Sequence, residues 1–228
     1  MILGLLSDVH GNAPALRAAL DFLGDRVDCF LFAGDCAGYY PFVNECIGMF
    51  PMEKFFGVRG NHDEFLLQCI ETGTLPADYQ KKYGSALIRS LASLTDRSKN
   101  VLIEMPRQQE IVLEGSRIAL FHGSPWDPLN GRVYPDFSDW QQFDGLSFDY
   151  LILGHTHYAM EKRFGDLTII NPGSVGQPRD GKKGACFAEL DTARGQVRFY
   201  TVPYNSRQVI EDARINDPEN SYLVQVLQ

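Results

Sequence analysis

The segment Leu5-Leu6-Ser7-Asp8-Val9-His10-Gly11-Asn12 closes an apolar run that begins at Ile2. Residues 2–6 read as a buried strand. The run stops at a carboxylate, and an imidazole follows two positions later. While the chain stays extended, side chains two apart share a side. Asp8 and His10 would then bring an oxygen and a nitrogen donor to the carboxyl edge of a sheet, where open α/β sheets place ligands. Gly11 permits a turn, and Asn12 or Ala13 opens an amphipathic helix over residues 13–24. Its apolar positions Leu16, Ala19, Leu20 and Leu23 recur at helical spacing, and Pro14 fits the first turn.

The same grammar repeats downstream. Cys29–Ala33 reads as a strand ending at Gly34-Asp35, and Phe55–Val58 as one ending at Arg59-Gly60-Asn61-His62-Asp63. Residues 42–50, 63–71 and 77–95 read as helices, so strands alternate with helices and a mainly parallel sheet is expected. Gln109–Leu113 and Arg117–Phe121 form a predicted hairpin around Glu114-Gly115-Ser116, ending at His122. A Gly/Pro-rich loop spans 123–136. Residues 148–153 form another apolar strand, ending at Gly154-His155-Thr156-His157. Short strands are expected over 158–164, 167–171, 184–190 and 196–202, with turns at Asp166, Asp180-Gly181 and Arg194-Gly195. One or two short helices should follow Pro203. No shift in composition, repeat or low-complexity tract divides the chain, so residues 1–228 are expected to form a single domain.

Bulk properties narrow the function. The 228 residues, 44% hydrophobic, are enough for one substantial core. A net charge of −8 gives no basic footprint for non-specific nucleic-acid binding, although a nucleotide substrate is compatible with it. The five cysteines are scattered without a CxxC pair and are expected to be free thiols. No stretch reaches the ~18 apolar residues of a membrane span, and the N-terminus lacks the features of a signal peptide. A cytoplasmic protein without membrane association is expected, with self-association left open.

All five histidines sit at or just beyond the end of a strand-like run: His10, His62, His122, His155 and His157. Asp8, Asp35 and Asn61 join them, and glycines adjoin nearly every one. A mixed nitrogen and oxygen donor set without thiolate suits Mn, Fe or Zn. The donors exceed one tetrahedral site, so two ions sharing a carboxylate is the economical reading. Such a pair can clamp the attacking and leaving oxygens of a phosphoryl centre.

Asp8-x-His10, Gly34-Asp35, Gly60-Asn61-His62-Asp63, His122 and Gly154-His155-Thr156-His157 resemble, in order, the motifs of the calcineurin-like metallophosphoesterases. The stretches around Tyr39, His122-Gly123-Ser124-Pro125 and Asn171-Pro172-Gly173-Ser174-Val175-Gly176 are similar to the compact prokaryotic phosphodiesterase branch. The resemblance implies an α/β fold, a four-layer α/β/β/α sandwich of two mixed sheets with the motifs on loops at one edge. It implies two divalent ions, manganese favoured, with iron, zinc, nickel or cobalt as alternatives. Asp8, His10 and His157 would hold one ion, Asn61, His122 and His155 the other, and Asp35 would bridge. The implied chemistry is in-line attack of a bridging hydroxide on a small organic or nucleotide phosphoester, most simply a phosphodiester. His62 would serve the leaving oxygen. A diadenosine polyphosphate hydrolase is the enzymatic alternative. A non-catalytic scaffold on the same fold is disfavoured because every ligand position is filled.

Several features remain outside the motifs. The chain lacks the Asp-Arg-Gly that follows Gly-Asp in protein phosphatases, which leaves the residue orienting His62 unidentified. Arg59, beside Asn61, either meets phosphate oxygens, because a guanidinium matches phosphate in a fork, or joins a surface ion pair. Asn61 would stand next to substrate as well as to metal. Asn171 and Arg179 either reach substrate or brace the loops. Tyr39, Tyr40, Trp126 and Tyr134 either stack on a base or pack the rim. Cys36 reads as a packing residue, and Gly176–Lys183 as an Asp-Gly turn rather than a phosphate loop. The 123–136 loop is expected to set substrate choice.

Overall fold

The computed structural model describes residues 1–75 and 78–228. In chain order the elements are β1 (Ile2–Leu6), α1 (Ala13–Leu23), β2 (Cys29–Phe32), α2 (Val43–Met49), β3 (Phe55–Gly57), α3 (Asn61–Thr72), α4 (Tyr79–Tyr83), α5 (Ala86–Ser93) and α6 (Asp96–Glu104). There follow β4 (Gln108–Leu113), β5 (Ser116–Phe121), β6 (Tyr150–Ile152), β7 (Met160–Phe164), β8 (Leu167–Asn171), β9 (Ala185–Asp191), β10 (Gln196–Val202), α7 (Arg207–Asn216) and α8 (Tyr222–Gln225).

The strands form two mixed five-stranded sheets, ordered β10-β9-β1-β2-β3 and β4-β5-β6-β8-β7. Parallel pairing is confined to β1-β2-β3 and β5-β6-β8, and the flanking pairs are antiparallel. The mainly parallel sheet expected from the alternation of elements is therefore corrected to two mixed sheets. Hairpin partners on the edges supply the antiparallel ladders.

The period of two distributes the apolar residues into layers. Leu3 and Leu5 of β1 and Leu31 of β2 face Ile118, Leu120, Ile152 and Ile170 of the other sheet. Leu6, Phe30 and Phe32 point the opposite way and pack with Leu16, Leu23, Ile47 and Leu66 of the helices. On the far side, Ala119, Phe121, Leu151 and Ile169 are covered by Val133, Phe143 and the rings of Phe137 and Trp140. The outer layer there comes from the segment 123–149, whose helical part is the 3₁₀ turn Trp140–Phe143. The fold is thus an α/β sandwich of two sheets between two covering layers.

Three local expectations change. The helix expected over 77–95 is two helices, because Gly84, with φ of +86°, ends α4 in a conformation that other residues adopt at a cost. Ala77 lies outside the described residues. Helix α6 was not anticipated. Few of its residues are apolar, and it is identified by its cap, where Thr95 Oγ1 accepts the Ser98 N–H at 3.2 Å. Third, α3 begins at Asn61 rather than residue 63, so Asn61 and His62 occupy its first turn.

The carboxyl ends of all six parallel strands open on one edge of the sandwich. Their loops are laced together by Asp8 N–H to Gly34 O (2.9 Å), His10 N–H to Asp35 O (2.9 Å), Gly154 N–H to His122 O (2.9 Å) and Gly176 N–H to Asp8 O (3.0 Å). The sheet-to-sheet core holds that edge in place. Leu31→Ala, which opens a cavity between the sheets, is expected to cost about 2–5 kcal/mol. Denaturant unfolding of the variant measures this, and a loss well under about 1 kcal/mol would contradict the layer assignment.

Candidate metal centre

The loop after β1 delivers Asp8 and His10, the one after β2 delivers Asp35, and the first turn of α3 delivers Asn61 and His62. His122 follows β5, and His155 and His157 follow β6. All are buried except His155, which is half-buried. Donor atoms of Asp8, His10 and His157 lie within 4.8 Å of one another, as do those of Asp35, His122 and His155, and those of His10, Asp35 and His62. Asn61 Oδ1 lies 3.0 Å from His122 Nε2, which places the amide in the second of these groups. Asp35 Oδ2 lies 3.2 Å from His122 Nε2 and 3.8 Å from His10 Nε2, between the two halves. The seven side chains expected to gather do gather.

Their backbone carries the imprint of the site. Asp8, His10, Asp35, His155 and His157 all have φ between +52° and +65°. Left-handed backbone in residues other than glycine costs about 1–3 kcal/mol each and clusters at functional sites. Among the described residues the one further non-glycine case, Glu114, sits in the β4–β5 hairpin turn. Gly60 shows why glycine adjoins the donors. A Cβ there would collide with Asp35 Oδ1 and the Asp35 backbone nitrogen.

The outer partners of the imidazoles decide which nitrogen faces inward. His10 Nδ1–H donates to Ala37 O (3.1 Å), His122 Nδ1–H to Ala33 O (2.8 Å) and His157 Nδ1–H to Gln177 O (2.6 Å). A carbonyl only accepts, so each Nδ1 carries hydrogen and each Nε2 can turn a lone pair to the cluster. His10 Nε2 and His157 Nε2 are 3.0 Å apart. Asp8 Oδ1, 3.3 Å from His157 Nε2, is buried and has no hydrogen-bond partner among the described residues. Acceptors that face acceptors in a pocket shielded from water are unfavourable. A divalent cation resolves the conflict, and the donor set, imidazole with carboxylate and amide oxygen, fits one.

The charges respond to this crowding. Burial would raise the carboxyl of Asp8, but His157 and His10 outweigh it and hold it well below the usual range. Burial opposes ionisation of Asp35 too, and His122 and His62 again overcome it. Burial disfavours charge on His122, yet the Asp35 carboxylate raises its pKa to about 9. Burial, with the neighbouring His122, pushes His155 down to about 3. His62 also falls to about 3, chiefly through burial.

The loops that carry these groups are stapled by residues without a ligand role. The Asp63 carboxylate accepts the N–H groups of Ala37 (2.8 Å), Gly60 (3.0 Å) and Cys36 (3.2 Å), so it braces two motif loops rather than orienting His62. Burial and Asp35 push its pKa up to about 6, against those three donors. Ser7 Oγ–H donates to Asp8 Oδ2 (2.5 Å). Asn171 is a brace, its amide donating to Gly154 O (2.7 Å) and Thr156 Oγ1 (3.0 Å). Cys36 is fully buried in the helix-side core, as a packing residue would be.

Arg59 is not brought to the cluster. Its side chain pairs with Glu64 in the first turn of α3 (3.6 Å) and borders a separate cavity with Leu67 and Gln68. The cations that do line the metal-side cavity, of about 250 Å³, are Lys82, Arg132 and Arg179. Arg132 Nε–H donates to His155 Nε2 (3.2 Å), and Arg179 donates to Tyr39 Oη (2.7 Å). While that first bond stands, the single proton of neutral His155 stays on Nδ1. Coordination through Nδ1 therefore requires Arg132 to let go, which frees its guanidinium for the cavity. Tyr39 packs edge-on to His10, with ring centroids 4.6 Å apart, and Tyr40 is buried; Trp126 stacks on Phe137. Of the four aromatic candidates, Tyr134 and Tyr39 border the cavity. The 123–136 loop contributes Asn130, Arg132 and Tyr134 to its wall. Reading the sequence missed Arg132, Lys82 and Tyr79, whose hydroxyl lies 2.5 Å from His62 Nδ1. No local pattern marks them.

Comparison with known proteins agrees with this geometry. The profile described as the calcineurin-like phosphoesterase superfamily domain matches residues 1–195. An uncharacterised protein of Methanocaldococcus jannaschii is 28% identical, covering 92% of this chain and 90% of its own. The crystal structure of a metallophosphoesterase from Sphaerobacter thermophilus superposes with a TM-score of 0.78 at 26% identity, covering 100% of this chain and 98% of that one. A hypothetical protein from Pyrococcus horikoshii shares the fold, with a TM-score of 0.80 at 20% identity over 99% and 97% of the two chains.

Loading with Zn²⁺ is expected to release protons near neutral pH, because His122 holds its proton up to about pH 9 and must lose it to ligate. Affinity should rise with pH until about that value. Calorimetry in buffers of different ionisation enthalpy reads the proton count, and binding without release contradicts the assignment of His122.

Proposed function

The chain belongs to the calcineurin-like phosphoesterase superfamily, and on that premise we propose that its cluster is a dinuclear metal centre that hydrolyses phosphodiesters of small organic molecules or nucleotides. The observation that carries this reading is the gathering of Asp8, His10 and His157 on one side and Asp35, His122 and His155 on the other, with Asp8 Oδ1 buried and without a hydrogen-bond partner among the described residues. Asp8, His10 and His157 hold one ion. Asn61, His122 and His155 hold the other, and Asp35 serves both. The nitrogen and oxygen donors without sulfur suit manganese, iron or zinc, and the family resemblance favours manganese. Bound divalent ions supply positive charge that polarises the phosphoryl group and acidifies water toward about pKa 7.

The protein's own groups do the rest. Arg132, once off His155, and Arg179 approach the cavity from different loops, and each can fork to phosphate oxygens. His62 stands beside the ligands without being held by a backbone carbonyl and meets the leaving oxygen. Its pKa near 3 makes it a neutral hydrogen-bond donor that stabilises developing charge, rather than an imidazolium acid. The cavity of about 250 Å³ admits a small ester and favours that over a protein substrate. Tyr39, Lys82, Tyr83, Asn130 and Tyr134 complete the lining of the cavity. Dinucleoside polyphosphates are the competing substrate class, because Lys82, Arg132 and Arg179 also suit an extended phosphate chain.

Manganese is expected to stimulate hydrolysis of bis-p-nitrophenyl phosphate. On a diester with an alkyl leaving group, His62→Ala should retain both ions and lose rate by about 10²–10³-fold, whereas Asp35→Ala should lose metal as well as rate. Turnover assays with metal analysis distinguish these outcomes. No turnover with any divalent ion would overturn the enzymatic reading, and loss of metal from His62→Ala would make His62 a ligand. A nucleotide panel that prefers dinucleoside polyphosphates over simple diesters would select the alternative class.

A further inference from the structure

His62 differs from the metal-facing histidines in its outer partner. His10, His122 and His157 each set Nδ1 against a backbone carbonyl. His62 sets Nδ1 against the hydroxyl of Tyr79, at 2.5 Å. A hydroxyl, unlike a carbonyl, can donate. Tyr79 is buried at 4% exposure, and its ring packs with Phe65 and Tyr83 (centroids 5.5 and 4.7 Å). Burial pushes its pKa up, so the oxygen keeps its hydrogen. A buried O–H needs an acceptor, and among the described residues His62 Nδ1 is the acceptor it reaches.

We infer that Tyr79 is a positioning residue that donates to His62 Nδ1 and thereby fixes the hydrogen of His62 on Nε2, aimed at the leaving oxygen. The nature of the outer partner then separates His62 from His10, His122 and His157. A carbonyl behind the ring makes the inner nitrogen a lone pair for a cation. A hydroxyl behind the ring makes it an N–H for substrate. During hydrolysis an oxygen of water forms a new bond to phosphorus and gives up its proton to solvent, while the ester P–O bond breaks and its electron pair passes to the leaving oxygen. The Nε2–H stabilises that charge by a hydrogen bond and stays on the ring, while solvent water supplies the proton that completes the alcohol. Helix α4, which carries Tyr79, also brings Lys82 and Tyr83 to the cavity, so one short element orients the donor and shapes the wall. The inference names the orienter that the Gly34-Asp35-Cys36-Ala37 sequence does not supply, and it rests on the phosphoesterase reading for its catalytic meaning.

The hydrogen position is tested without turnover. Long-range ¹H–¹⁵N spectra of the zinc-loaded protein report the tautomer of each imidazole, with His62 assigned by the signal lost in His62→Gln. The expected result is Nε2–H for His62 in the wild type and a mixture of both tautomers in Tyr79→Phe. Nδ1–H in the wild type, or an unchanged tautomer in Tyr79→Phe, overturns the inference. Kinetics supply the second arm. Tyr79→Phe should keep its metal and lose about tenfold on a diester with an alkyl leaving group. It should change little on one with p-nitrophenolate, which needs no help to depart. Equal loss on both marks Tyr79 as merely structural. Absence of wild-type turnover on both esters would remove the hydrolytic reading while leaving the tautomer result to stand or fall alone.

Discussion

Buried acceptors that point at one another are the constraint on which the rest of the site depends. The Nε2 atoms of His10 and His157 stand 3.0 Å apart, beside a carboxylate oxygen of Asp8 that no group among the described residues satisfies. Backbone carbonyls behind the rings prevent escape by a change of tautomer. The stability of such an arrangement is coupled to a cation, so metal binding and local folding share one free energy. Asp35 extends the same constraint across the site. Its Oδ2 faces His122 and His10, while its Oδ1 accepts the His62 N–H at 2.8 Å. The first turn of α3 is thereby fixed to the carboxylate between the two ligand groups.

The sandwich makes this tolerable. Parallel strands aim their carboxyl ends at one edge, and the apolar layers on either side of each sheet hold those ends still. Five donors in left-handed backbone are strained, and hydrogen bonds between loops maintain the strain. Loop packing leaves no room for a methyl group at Gly60, where the chain passes against Asp35. Asp63 and Asn171 contribute by saturating backbone groups around the donors. They influence chemistry through position alone, which distinguishes them from Arg132 and Arg179 in the cavity wall.

The cationic wall sits within a protein of net charge −8. Lys82, Arg132 and Arg179 come from α4, the 123–136 loop and the segment after β8, three parts of the chain remote from one another. Their convergence on one small cavity concentrates positive potential where a phosphoester would sit, against an acidic exterior. The Arg132 bond to His155 links this wall to the donor cluster, and it would have to yield before His155 could turn an Nδ1 lone pair to a cation.

The sequence by itself determined that carboxylate, imidazole and amide groups stand at the ends of strands. An apolar run that ends in Asp8-x-His10, or in Gly154-His155-Thr156-His157, places those groups just past a strand end because burial of the run is a local property, while the two-residue period stops with the strands and the donors turn left-handed. The same locality misled where the pattern was thin. It merged α4 with α5 across Gly84, overlooked polar α6, and left Arg59 open between phosphate and an ion pair, which the contact with Glu64 decides. Only the tertiary structure decided which imidazole nitrogen faces inward, which arginines line the cavity and that Tyr79 stands behind His62. Those facts depend on a second partner contributed by a distant segment: Ala33 for His122, Gln177 for His157, Tyr79 for His62. A side chain's type is written in the chain, but its direction and proton are set by what packs against it.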